Sequence, residues 1–301
     1  MAQLWAELLT RINYLRDLYR QKRILLKPGE GIAWVLDEAE AVAKAEVSPK
    51  PPSTENVMEA VKACHVAWNL YEVIKDCIDA GLDVSNHLGE ITAGTIDYGT
   101  PANAIDRRTI FFKDFEAELL VAALLARAKL PVQFLKEAND PCGEMRVDNI
   151  FVEVKHPNSP GGIERLMRKF HGELRKRNAV GVFVTAVEDA FRLGDKETFD
   201  APEQFQTFNK SKLDEIEKFG REAVRRAAAL PAIACLAQIS SRIAAVAGET
   251  RFIRLGNSIV YDDRRISTEL KQQVEQIAAV FNPQFRHYSQ IRDLITSDES
   301  T

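Results

Sequence analysis

Residues 143–157, GEMRVDNIFVEVKHP, constrain this chain more than any other stretch. Two apolar-rich runs flank Asp148-Asn149, residue types that tolerate the positive φ of a tight turn, so the segment reads as a β-hairpin. With those two residues as the loop, Val147 faces Ile150, Arg146 faces Phe151, Met145 faces Val152 and Glu144 faces Glu153. Side chains alternate across a strand. One face therefore carries Met145, Val147, Ile150, Val152 and Val154 and belongs to a core. The other carries Glu144, Arg146, Phe151, Glu153 and Lys155. Like charges directly across a strand pair repel, so the two glutamates need an offsetting charge. A hard divalent cation such as magnesium, which takes one or two carboxylates and keeps several waters, would supply it. The plainer alternative is an edge hairpin whose Glu/Lys face is simply solvated.

The elements around the hairpin follow from periodicity. Residues 110–129 form a helix that is apolar almost all round from Ala117 to Ala128, hence buried. Glu118 interrupts that run, and an isolated buried carboxylate is costly unless paired or bound to metal. Glu116 is its alternate. Pro131 opens a strand at 132–138, a short loop covers 139–143, and the hairpin follows. After a loop at 156–162, residues 163–177 form a helix with the stripe Ile163, Leu166, Met167, Phe170 and Leu174. Opposite that stripe stand Arg165, Arg168, Lys169, Arg175 and Lys176, a one-signed face suited to a phosphate backbone, although a charged face is often only a solvated one. Residues 179–189 read as a central strand, and strand–helix–strand implies a right-handed parallel crossover. A helix at 209–229, a strand at 232–239, a second hairpin turning on Gly256-Asn257 and a helix at 267–281 complete the expected order.

Helix, strand, strand and strand with an E-x-K triplet on the last resembles the PD-(D/E)XK nuclease superfamily. Glu153-Val154-Lys155 is the triplet, and Glu144 stands in the acidic position of the preceding strand. The chain departs from the family pattern there, with Gly143-Glu144 in place of Pro-Asp. Asp148 is the rival acid, set aside because a turn residue lies at the hairpin tip, away from Glu153. The resemblance spans roughly residues 110–240. It implies an α/β fold with a restriction-endonuclease-like core, a mixed central sheet flanked by helices, occupying residues 106–301. It also implies a Mg2+ or Mn2+ ion held by Glu144, Glu153 and the Val154 carbonyl, with Glu118 holding a second ion or a water of the first. Lys155 would orient the attacking water or stabilise the transition state. The implied activity is hydrolysis of phosphodiester bonds in nucleic acid, DNA before RNA. Cutting both strands would favour a homodimer.

Residues 1–105 match no family pattern and read as an N-terminal helical bundle with a connecting loop. Helices are expected at 2–22, from Pro28-Gly29 to about residue 46, and from Thr54 to Gly81. A proline-rich linker lies at 47–53, and a glycine-rich loop at 86–105. His65 and His87 lie there without ligand spacing. The bundle leaves a non-enzymatic alternative open: a nuclease-fold scaffold, or a nucleic-acid-binding protein, whose helices hold a protein partner. Net charge is −4 over 301 residues, which argues against an indiscriminate coat on nucleic acid but leaves room for a local basic patch. Cys64, Cys77, Cys142 and Cys235 form no C-x-x-C pair, which suits a reducing compartment. The opening stretch is amphipathic rather than a signal peptide, and no apolar run is long enough for a membrane span. The expectation is therefore cytoplasmic. No G-x-S-x-G, Walker A, G-x-G-x-x-G or H-E-x-x-H motif offers another hydrolase chemistry.

Overall fold

A computed structural model describes residues 2–29, 31–47, 57–92, 107–135, 143–195, 198–227, 232–260 and 267–281. Four helices come first: α1 (Ala2–Gln21), α2 (Gly31–Val47), α3 (Val57–Asp79) and α4 (Ser85–Ile91). The long helix α5 (Arg107–Arg127) follows. Then come strands β1 (Val132–Phe134), β2 (Met145–Val147) and β3 (Ile150–Lys155), helix α6 (Pro160–Lys176) and strand β4 (Val180–Ala186). Strand β5 (Thr198–Phe199), helix α7 (Pro202–Ala227), strands β6 (Ile233–Val246) and β7 (Glu249–Val260) and helix α8 (Thr268–Ala279) close the order. The fold is α/β with a mixed sheet. Among the described residues no helix is long and apolar enough to cross a membrane.

The sheet runs β1-β2-β3-β4-β6, antiparallel through the first three strands and parallel from β3 to β4 to β6. Parallel neighbours need a crossover, supplied by α6 between β3 and β4 and by α7 between β4 and β6. Strand β6 outruns β4, pairs there with β5, and carries β7 antiparallel along its other edge. Two apolar faces result. Met145, Val147, Ile150, Val152, Val154, Val182 and Val184 pack in one continuous core with α5, α8 and the N-terminal helices. Phe183, Ile233 and Leu236 pack on the other face against Ile163, Met167, Phe170 and Leu174 of α6 and Ile216 of α7. The expected division at 105/106 falls on residues outside those described, as do the linker at 48–53, residues 136–138 of the expected strand and Cys142.

Four local expectations differ from the structure. Within the loop expected at 86–105, residues 86–91 belong to α4, where His87, Leu88 and Ile91 are buried; Gly89 is tolerated because the helix is short and packed. The loop expected at 156–162 ends early. Ser159 caps α6, its side chain accepting from the Gly162 N–H, and Pro160 opens the first turn, where its missing N–H costs nothing. Helix α7 begins at Pro202 rather than 209. The second hairpin turns on Ala247 and Gly248, whose φ values are 52° and 82°, and Gly256-Asn257 lies inside β7. Gly256 is there for space: a Cβ would meet the Phe281 carbonyl oxygen at 2.9 Å.

Candidate active site

The first hairpin has the expected register, Val147 opposite Ile150, Arg146 opposite Phe151 and Met145 opposite Val152. The ladder stops there, so Glu144 is not paired across from Glu153. Its N–H returns to the Val152 carbonyl at 3.0 Å, while the Leu135 N–H donates to the Glu144 carbonyl at 3.0 Å. The departure begins at Gly143, whose φ of +88° proline cannot adopt and most other residues strain to reach. This backbone calls for glycine at position 143. Asp148 sits at the hairpin tip with φ 49° and is exposed.

The ladder between β2 and β3 ends at Val152. Backbone groups alternate sides along a strand. The Val152 carbonyl faces β2, so the Val154 carbonyl faces the same open side; the Val154 side chain is core. Lys155 lies beyond the end of the ladder. Its ammonium donates to Glu144 and lies 3.2 Å from Glu153 Oε1. The carboxylates are largely shielded, with side-chain exposures of 12% and 14%, against 29% for the lysine. Glu144, just ahead of β2, and Glu153 of β3 therefore meet through Lys155 rather than through a cross-strand glutamate pair.

Helix α5 closes the site from the opposite layer. Glu118 is buried, and its Oε2 lies 3.1 Å from His87 Nε2 of α4. His87 itself packs on the Phe134 ring, centroids 4.2 Å apart. The glycine-rich segment thus contributes a histidine to the site, which its isolation in sequence did not suggest. One turn before Glu118 is Asp114, within electrostatic reach of Lys155, Glu118 and Glu144. Asp114 was missed in the sequence; its i,i+4 spacing from Glu118 on one helix face was the available signal. Glu116 points elsewhere, accepting from Asn69 Nδ2 at 3.2 Å.

The electrostatics describe a site short of positive charge. Burial pushes the Asp114 carboxyl up to about 7; Lys155 opposes this, while Glu118, Glu144 and Asp189 add to it. Burial also raises Glu153, against Lys155 and Lys169 and with Glu144. Burial alone would depress the Lys155 ammonium, but Glu153, Glu144 and Glu118 outweigh it and hold the group above its ordinary value. Beside this open group lies a dry one. Lys113 pairs with Asp189 at 2.9 Å, and the buried His156 ring lies 3.5 Å from Asp189 and 3.8 Å from Glu188.

On α6, Arg165, Arg168, Lys169, Arg175 and Lys176 are all exposed. Arg168 lies 3.5 Å from Glu164 and Lys176 2.7 Å from Glu173. Lys169 acts on Glu153, so the basic face continues to the rim of the carboxylate group. Among the described residues no three His, Cys, Asp or Glu side chains are gathered around one point as a metal cage. No protein-family model, no curated protein and no solved structure matches the chain.

Proposed function

We propose that this chain is a metal-dependent nuclease of the PD-(D/E)XK type, with a restriction-endonuclease-like core, acting on DNA in preference to RNA. The observation that carries the reading is the meeting of Glu144, Glu153 and Lys155 beyond the end of the ladder between β2 and β3, faced by Asp114 and Glu118 from α5. The donor set fits magnesium or manganese. It is all hard oxygen, and magnesium is commonly held by one or two carboxylates with waters completing its shell. Burial raises the Glu153 and Asp114 carboxyls, and a bound cation would offset that cost.

Glu144, Glu153 and the Val154 carbonyl would hold the ion, with Asp114 and Glu118 facing its waters. When bound, the ion would lower the pKa of a water and neutralise charge growing on the phosphate. His87 fixes the Glu118 carboxylate, removing a rotamer that would otherwise have to be ordered on binding. Lys155, held charged by its neighbours, places a point charge where the pentacovalent phosphate develops negative charge. The exposed cations of α6 would hold the phosphates flanking the scissile bond.

The pairing of Lys155 with both glutamates favours one second reading: a scaffold of the same fold in which Lys155 permanently neutralises the carboxylates. One experiment separates the two. Wild type and Glu153→Ala are incubated with plasmid, linear duplex, single-stranded DNA and RNA in magnesium, manganese or EDTA. Cleavage by wild type that EDTA and the substitution both abolish supports the nuclease. Wild type inert on every substrate, with no heat of metal binding by calorimetry, leaves the scaffold.

A further inference from the structure

A cavity of about 700 Å³ opens between the start of α4 and β1, the outermost strand of the sheet. It adjoins the carboxylate site through His87 and Leu135, whose N–H donates to the Glu144 carbonyl. His87 forms part of its wall and touches Glu118 with the same ring. A volume of this size holds a small organic ligand.

The described lining includes the aromatic ring of Phe134, the exposed amides of Asn86 and Gln133, and the Asp83 carboxylate. The edge strand adds a main-chain pair. The Leu135 N–H points inward to Glu144, so by strand alternation the N–H and C=O of Phe134 point outward toward the cavity. A donor and an acceptor side by side, amides able to bond in bidentate fashion and an adjacent ring form the recognition chemistry of a flat heteroaromatic edge. Arg146 holds the Gln133 carbonyl oxygen at 3.2 Å, which orients that amide. Exposed cations stand on α6, where Lys169 acts on Glu153.

We infer that this cavity receives one unpaired nucleobase of the substrate strand, so that the substrate is single-stranded or carries an extruded base beside the cleaved bond. The inference rests on the nuclease reading and narrows its substrate class. A base inside a duplex cannot enter such a pocket without leaving the stack.

The test uses the full chain in EDTA and a short single-stranded oligonucleotide carrying one 2-aminopurine. Fluorescence anisotropy reports overall binding, and 2-aminopurine intensity reports burial of the base. Binding should change the 2-aminopurine intensity saturably. Asn86→Trp, which fills the cavity from an exposed helix position, should abolish that change and weaken binding by about tenfold. Gln133→Ala should weaken it less. An unaltered 2-aminopurine signal at saturating anisotropy, absence of binding, or Asn86→Trp binding like wild type each overturns the pocket. A saturable base signal without cleavage in magnesium would sink the nuclease reading alone, whereas cleavage with a silent 2-aminopurine would sink the pocket alone.

Discussion

Glu116 and Glu118 are both buried carboxylates on α5, about 200° apart around the helix. Glu116 belongs to a network directed inward. Asn69 of α3 donates to it, and Arg254 of β7 donates to Asn69, so three elements are tied by groups no more than 4% exposed. Glu118 belongs to a group directed outward. It meets His87 and, with Asp114, Glu144 and Glu153, surrounds the Lys155 ammonium, which solvent reaches. In the inward network Asn69 bridges an acid and a base, Glu116 and Arg254. The outward one has more carboxylates than the lysine can neutralise, and the fold tolerates it. Clustered carboxylates with raised pKa values are a feature that many binding and catalytic sites share.

Removing one member from each group should separate the two roles. Lys155→Ala is expected to fold and to lose roughly 10²–10³-fold in cleavage rate, the size of a lost preorganised electrostatic contact. Asn69→Ala is expected to do the reverse. It leaves Glu116 and Arg254 short of a partner inside the core, costs about 1–3 kcal/mol in urea unfolding, and leaves cleavage per folded molecule unchanged. Cleavage by Lys155→Ala at the wild-type rate would end the catalytic assignment. Asn69→Ala with full stability would show that the inward network holds nothing together.

A third region, the dry cluster behind the site, should show itself in the pH dependence of stability. Burial pushes Glu188 up to about 8 and Asp114 up to about 7, and holds the His156 imidazole down at about 4. Below pH 6.5 the effects oppose: the unfolded histidine takes a proton that the buried one refuses, while the folded carboxyls keep protons that the unfolded ones lose. Above pH 6.5 the histidine no longer contributes. From there to about pH 8 the folded state binds more protons than the unfolded state, so stability falls as pH rises, by at most about 1.4 kcal/mol per pH unit for each carboxyl. Glu188→Gln should flatten this limb. Chemical denaturation across that window would disprove the account if wild type gave a level line.

How much of this the sequence carried depends on the range of the interactions involved. The hairpin register was legible because period-two alternation leaves a one-residue slip nowhere to put Met145, Val147, Ile150, Val152 and Val154. The parallel step from β3 to β4 followed from an apolar strand after an amphipathic helix. The turn of the second hairpin did not, because Gly256-Asn257 is the stronger local signal, while the Phe281 carbonyl that explains Gly256 is remote in sequence. Lys155, Glu153 and Glu144 were readable as neighbours across the hairpin, but not the break in the ladder that carries Glu144 out of register with Glu153. Asp114 and His87 were not. One is hidden among ordinary helix charges, and the other sits on a seven-residue helix whose helicity comes from packing.

The smallest expected effect concerns the border between the carboxylates and the basic face of α6. Arg168 and Lys176 are drawn to Glu164 and Glu173 of their own helix, whereas Lys169 acts on Glu153. Replacing Lys169 with alanine should weaken DNA binding several-fold and lower the slope of log K against log salt by about 1, as for one lost phosphate contact. Arg168→Ala should do less, since Glu164 already competes for that guanidinium. Because Lys169 helps keep Glu153 ionised, its loss should also raise the Glu153 pKa and move the acid limb of the cleavage profile to higher pH. A changed salt slope with a fixed acid limb would place Lys169 on the DNA but outside the field of the site. A shifted limb with an unchanged slope would do the opposite, and would move the border of the catalytic group onto α6 itself.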